Sequence, residues 1–259
     1  DVYVIAPNGQ RSAYSHAISI NKDVLFSEVE DYPFAKEAYM VDGTPADCVK
    51  LGTLFLKKRG IRTEAVYTGI NHGANLGTDT MYSGTVSSAA EGAFLGLPSV
   101  AVSVISHEPK HFEAACKAAV ELLPYACSHV ATGSLININA PDLEACEIKG
   151  TRAARLGNAK YDEWYYEAED NGETVTYRYA GTMIEDETWT DDMDTKLVRE
   201  GYITVSAIKY DLNDYAGFEA LKKWEQDLAV YFLPSWEDLP TIELYMDQVV
   251  ALMGQYLAI

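Results

Sequence analysis

The chain has 259 residues, 48% of them hydrophobic, enough for one large α/β domain or two smaller ones with a sizeable core. Its net charge of −19 argues against a long nucleic-acid partner, whose phosphates attract basic surfaces, but leaves room for a small phosphate ester in a local pocket. No window is long and apolar enough to span a membrane, and no signal peptide is read, so the expected compartment is the cytoplasm.

The chain opens on DVYVIAP, already a strand over residues 2–6 that Pro7 stops. A strand at the first residue, with no initiator Met, is read as a fragment. The loop Asn8-Gly9-Gln10-Arg11-Ser12 follows. Ligands of open parallel sheets sit at the carboxyl ends of strands, so Arg11 and Ser12 are site candidates, against the plainer reading of Ser12 as a turn residue. Residues 18–29 alternate loosely, as a hairpin or edge strand would.

Residues 38–42 form the next strand. It leads into Gly43-Thr44-Pro45-Ala46-Asp47, a good helix start: Thr44 caps, Pro45 fits the first turn and Asp47 complements the dipole. The helix runs to about Lys58, with Val49, Leu51, Leu54 and Phe55 facing inward, and Gly60 ends it. A central strand covers residues 64–68.

Residues 69–92, GINHGANLGTDTMYSGTVSSAAEG, are the most informative stretch. Gly69, Gly73 and Gly77 punctuate a loop holding Asn71, His72 and Asn75. The turn Tyr82-Ser83-Gly84 opens a small-residue helix over residues 85–95. Glycines let a backbone approach a ligand, and a bare helix N-terminus offers N–H groups and positive potential. Amides, hydroxyls and such a terminus suit an anion such as phosphate. An ordinary βα turn accounts for the same features.

A buried strand of β-branched residues spans 99–105. His107 and His111 flank the start of the next helix, residues 108–127; their spacing allows a metal pair, but solvated histidines are the simpler reading. Residues 135–140 are one more strand. To this point strands and helices alternate, as in a mostly parallel sheet. Residues 151–155, 161–167 and 173–179 are then short, Tyr-rich segments, read as projecting hairpins whose edges another subunit could cover. The acidic run 185–194 reads as a solvated loop, residues 201–210 as a return strand, and 215–227 and 241–257 as helices. Cys48, Cys116, Cys127 and Cys146 lack metal spacing; three of the four read as small buried hydrophobes. The organisation expected is a core over residues 1–145, a hairpin region over 146–215 and a helical segment over 216–259.

Four motifs coincide in order: APNGQRSAYSHAI, VDGTPADCVKLG, GINHGANLGTDTMYSGTVSSAAEGAFLGLPSVAVS, and LININAPD with a later REGYITVS. Together they closely resemble the SurE family of metal-dependent nucleotidases over residues 2–215. The resemblance implies a Rossmann-like, mostly parallel sheet with helices on both faces, a projecting antiparallel hairpin region and C-terminal helices. It implies assembly as a homodimer or homotetramer. The implied activity is hydrolysis of nucleoside 5'- or 3'-monophosphates to nucleoside and phosphate; some members also cleave short polyphosphate.

The resemblance further implies one divalent cation, Mg or Mn, with Ser12 and Asn71 among its ligands, and Asn75, Ser83, Gly84 and Thr85 lining the phosphate pocket. The family's adjacent Asp pair, in an NDDG motif, has no counterpart; its place would precede Asp1, and no catalytic residue is identified in the chain itself. Ser and Asn are neutral ligands and lack the charge that carboxylates supply to a hard dication. The expectation is a nucleotidase parent and a chain that, as given, binds metal weakly and is nearly inactive. The sequence Asp211-Leu212-Asn213-Asp214-Tyr215 also departs from the family's DL-T-x-H pattern. Two other readings stay open: a non-catalytic nucleotide- or phosphate-binding subunit, and an oligomeric structural fragment.

Overall fold

The computed structural model describes residues 1–129, 133–162, 165–179 and 181–231. Residues 1–210 form one unit and residues 211–259 another. The helix expected over residues 241–257 lies outside the described residues.

In chain order, the first unit begins with β1 (Tyr3–Pro7), β2 (Phe26–Glu28) and β3 (Glu37–Val41), then α1 (Pro45–Lys58) and β4 (Val66–His72). A 3-10 turn (Gly77–Met81), α2 (Gly84–Phe94), β5 (Ser99–Ile105), α3 (Glu113–His129) and β6 (Ser134–Pro141) follow. The remainder of this unit is β7 (Thr151–Ala153), β8 (Lys160–Tyr161), β9 (Tyr165–Asp170), β10 (Val175–Tyr179), β11 (Met183–Ile184), α4 (Asp194–Arg199) and β12 (Ile203–Lys209). The second unit contributes α5 (Tyr215–Tyr231).

The principal sheet has five strands in the order β4-β5-β6-β12-β7. β4, β5 and β6 are parallel, β12 runs antiparallel to β6, and β7 is parallel to β12. A second sheet has the order β1-β3-β2, with β1 and β3 parallel. Helices cover both faces of the principal sheet. Val100, Val102, Val104, Ile136 and Ile138 pack against alanines of α3, and Ala101 and Leu135 against Val86, Ala89, Ala90 and Ala93 of α2. That double burial explains why residues 99–105 read as a continuous apolar run rather than an alternating one. Each buried Val or Leu side chain contributes about 1.5–3 kcal/mol. Packing therefore outweighs the few tenths of a kcal/mol by which helix propensities differ.

Helix α1 starts as the sequence predicts. Asp47 N donates to Thr44 Oγ1 at 3.1 Å and Thr44 N to Asp47 Oδ2 at 2.8 Å, a reciprocal capping box. Its inward stripe differs from the expected one: Cys48, Gly52 and Leu56 are buried, whereas Leu54 is exposed. The reason is a close approach. A Cβ on Gly52 would stand 3.0 Å from Ile5 Cδ1, so β1 packs at the glycine and rotates Leu54 outward.

Several expectations are corrected. Asn71 and His72 belong to β4, not to a loop. The ladder shifts register between Thr68 and Asn71, then resumes with Asn71 opposite Ser103 and His72 opposite Val104. Gly69 makes that possible: its φ is +112°, and a Cβ there would meet Val102 O at 2.2 Å. Of residues 18–29, only Phe26–Glu28 is a strand. Helix α3 starts at Glu113 rather than Glu108, because Asp142 Oδ1 holds the backbone N–H groups of Lys110 and His111 in the preceding loop.

The acidic run is not wholly solvated either. Asp186 and Asp194 are buried. Asp194 accepts N–H bonds from Gly77 at 2.9 Å and Gly157 at 2.7 Å, clamping the 3-10 turn to the 157–159 segment. Of the cysteines only Cys48 is buried; Cys116, Cys127 and Cys146 are exposed.

Candidate functional site at the start of α2

The candidate residues come from three separate segments; the backbone brings Asn71, Thr85 and the loop of Ser12 to the start of α2, and sets Asn75 apart. Helix α2 begins at Gly84, with Ser83 as its cap: Ser83 Oγ accepts from Val86 N at 3.1 Å. The terminus is therefore not bare. The cap satisfies one of the four free N–H groups of the first turn and leaves the dipole in place. Thr85, in that turn, donates its hydroxyl to Asn71 Oδ1 at 3.3 Å. Asn71 Nδ2 donates to Gly73 O at 3.0 Å, which turns the amide oxygen toward α2.

The loop after β1 closes the third side. Arg11 O lies 3.6 Å from the point where a Cβ on Gly84 would stand, so the loop backbone lies close over the helix start. Ser12 is the next residue, and its Oγ accepts from Gln10 Nε2 at 3.0 Å. Ser15 ties the loop down again: its N–H donates to Tyr82 O at 3.0 Å and its hydroxyl to Met81 O at 2.6 Å. Farther along α2, the buried Glu91 carboxylate holds His16 Nε2 and Lys50 Nζ, each at 2.8 Å. His16 also stacks on Phe94 with ring centroids 5.7 Å apart. Sequence reading gave His16 and Glu91 no part, and no local signal marks a pair 75 residues apart.

Asn75 occupies a different environment. It is buried, and its Nδ2 donates to Ser103 Oγ at 2.7 Å. Its backbone N–H donates to Asn139 Oδ1 at 2.8 Å, and its carbonyl accepts from Asn137 at 2.8 Å and Asn139 at 3.0 Å. These bonds pin the loop after β4 across β5 and β6. They hold Gly73, and through it Asn71, at the sheet edge. Asn137 and Asn139 fell inside an apolar strand pattern, so sequence reading passed over them.

The carboxylates of this edge are engaged. Asp47 serves the α1 cap and also accepts from Ser19 N at 3.1 Å; these hydrogen bonds outweigh its desolvation and lower its pKa. Asp42 accepts from Asn8 Nδ2 at 3.2 Å, with Arg11 3.7 Å away. Asp79 accepts the Tyr161 hydroxyl, and burial raises its pKa. His111 pairs with Asp142 at 3.0 Å rather than with His107. Among the described residues no group of three or more His, Cys, Asp or Glu side chains could hold a metal ion. Ser12 and Asn71 offer two neutral oxygens, a part of a hard cation's shell and not a whole one.

A mostly parallel sheet covered by helices on both faces defines a Rossmann-like α/β protein, and its candidate site lies at the carboxyl ends of the strands, beside a capped helix start. A family model described as Survival protein SurE matches residues 1–163. The chain is 38% identical over 225 residues to the 5'-nucleotidase SurE of Synechococcus sp. (strain JA-3-3Ab), covering 86% of each. It is 39% identical over 224 residues to the 5'-nucleotidase SurE of Pelotomaculum thermopropionicum, covering 86% of this chain and 84% of the relative. The crystal structure of the SurE protein from Aquifex aeolicus is similar with a TM-score of 0.72 and 31% identity, covering 86% of this chain and 88% of that one. The chain belongs to the SurE family.

Proposed function

We propose that this protein is a phosphomonoesterase that hydrolyses nucleoside 5'- and 3'-monophosphates to nucleoside and phosphate. The observation that carries the reading is the convergence of the Ser12 loop, Asn71 and the first turn of α2. The names of the relatives, 5'-nucleotidase SurE, supply the substrate class. In this reading the first-turn N–H groups of α2 bind the phosphoryl oxygens, and the Thr85 hydroxyl holds Asn71 beside them. Asn71 and the Arg11–Ser12 backbone bound the pocket. Water attacks phosphorus, the bond from phosphorus to the ester oxygen breaks, and the proton lost by water ends on the nucleoside hydroxyl. Donors already aimed at those oxygens need no reorganisation as charge shifts toward the leaving group.

The reading includes one divalent cation, Mg or Mn, which would add positive charge beside the phosphoryl group. Ser12 and Asn71 would supply two of its oxygens, and carboxylates beyond these two residues would have to complete the shell. It also includes a homodimer or homotetramer, supported by β9 and β10, whose residues are all exposed. Short polyphosphate is a second expected substrate. The test is phosphate release from AMP and GMP with added Mn²⁺. Release above a no-enzyme control supports the reading. A rise in melting temperature with AMP and Mn²⁺ but no release would replace it with the non-catalytic binding subunit.

A further inference from the structure

Glu91 lies two turns past the Ser83 cap, about 12 Å along α2 and away from the helix start. It is a buried carboxylate with a base on each oxygen: Oε2 accepts from Lys50 Nζ on α1 and Oε1 from His16 Nε2, each at 2.8 Å. Lys50 joins α1 to α2. His16 joins something else to α2, because it belongs to the same loop as Ser12. Its ring is fixed on three sides. Besides the Glu91 bond, it stacks on Phe94 at an interplanar angle of 7° and meets Tyr210 edge to face with centroids 6.0 Å apart. The loop itself needs such support. Ala13 and Ser15 have φ of +55° and +50°, left-handed conformations that residues with a Cβ rarely adopt. Ser15 ties the loop to Met81 and Tyr82, just before α2, and His16 ties it to the body of the helix.

We propose that His16 is a positioning residue for the phosphate site: through its bond to Glu91 it holds the Ser12 loop over the start of α2, an inference that rests on the nucleotidase reading above. A segment tied at one point can pivot about it. The second tie, two turns farther along the same helix, removes that freedom and fixes the Arg11–Ser12 backbone against Gly84. A bond to a carboxylate is charge-assisted and suits the task. Misplacing a group by about 1 Å at a reacting centre costs about a hundredfold in rate, so a tether outside the site still governs turnover. His16 touches no substrate in this arrangement. It acts through the backbone of residues 12–15.

The experiment compares His16→Phe, His16→Gln and Lys50→Met with the wild type in the full 259-residue chain. It reads phosphate release from AMP with Mn²⁺, and amide hydrogen exchange at Ser15 and Ala17, whose N–H groups are bonded to Tyr82 O and Tyr14 O. Phe keeps a ring against Phe94 and loses the bond, whereas Gln restores an N–H donor to Glu91. Lys50→Met removes the other Glu91 partner without touching the loop, so it reports a plain loss of helix packing. His16→Phe is expected to lower kcat by about tenfold or more with KM little changed, and to speed exchange at both amides by about tenfold. His16→Gln should recover most of both. Lys50→Met should lower the melting temperature and leave kcat and loop exchange at the wild-type level. An unchanged kcat in His16→Phe, or an equal loss in Lys50→Met, overturns the positioning role and leaves the nucleotidase reading standing. If the wild type releases no phosphate, that reading fails and exchange alone decides: faster exchange in His16→Phe but not in Lys50→Met keeps His16 as the anchor of the loop, and unchanged exchange removes it.

Discussion

Thr85 Oγ1, in the first turn of α2, lies 3.3 Å from Asn71 Oδ1 on β4. This bond joins the helix that offers N–H groups to the strand edge that faces them, and it orients both side chains toward one space. Thr85→Val keeps the shape and removes the donor. The expected result is a fall in kcat/KM for AMP of about ten- to a hundredfold, while stability changes by no more than about 1 kcal/mol. Steady-state kinetics and a urea melt on one preparation check both halves.

The asparagine network makes unequal demands on its members. Asn139 both accepts from Asn75 N and donates to Asn75 O, whereas Asn137 only donates to Asn75 O and keeps a buried Oδ1 without a partner. Leaving a buried backbone N–H unpaired costs about 1–3 kcal/mol. Asn139→Ala should therefore destabilise more than Asn137→Ala, by about 1 kcal/mol or more. Equal midpoints in urea for the two variants would contradict this.

The glycines divide sharply. A Cβ at Gly69 would meet Val102 O at 2.2 Å with φ at +112°, while Gly60 at +74° has nothing within 4 Å. Gly60→Ala meets only the backbone penalty, about 1–2 kcal/mol. Gly69→Ala must displace β5 backbone and is expected to cost clearly more, about 3 kcal/mol or above, or to abolish soluble expression. Comparing the two variants by denaturant melts separates the steric cost from the conformational one.

Glu37 carries a definite acid dependence. Its bonds to Arg59 and Tyr39 lower its pKa from 4.5 to about 2. A depressed folded-state pKa gives stability that is present above about 4.5 and lost as pH falls toward about 2. The gap in melting temperature between wild type and Glu37→Gln should be full at pH 6 and close on acidification through that window. A gap independent of pH would assign the difference to packing.

The thiols should also separate. Burial, reinforced by Asp47, pushes the Cys48 pKa up to about 12, while Cys116, Cys127 and Cys146 are exposed. Alkylation of the native chain at pH 8 should modify those three quickly and Cys48 only after denaturation, as read by mass spectrometry. Rapid modification of Cys48 in the native chain would show that α1 opens far more readily than its packing implies.

Much of this architecture is written locally. The α1 capping box and the apolar strand at residues 99–105 are each decided within a few residues, so pattern alone exposes them, whereas the Ser83 cap was read as a bare helix start. The glycine-rich stretch likewise announced a close-approach segment beside a helix start. What pattern could not show was that Asn71 continues a strand past Gly69, because glycines that permit a bulge look the same as glycines in a loop.

The sequence by itself determined the capped start of α1, the buried strands and the family resemblance, because those depend on short-range bonds, periodicity and residue identity. The tertiary structure alone decided which polar groups are buried. Asn75 meets Asn137 and Asn139 across more than sixty positions, and Asp194 reaches Gly77 across 117. Each of these residues has a partner that no local pattern marks. Each stays in the interior because a partner, brought near only by the folded sheet, replaces the water it gives up.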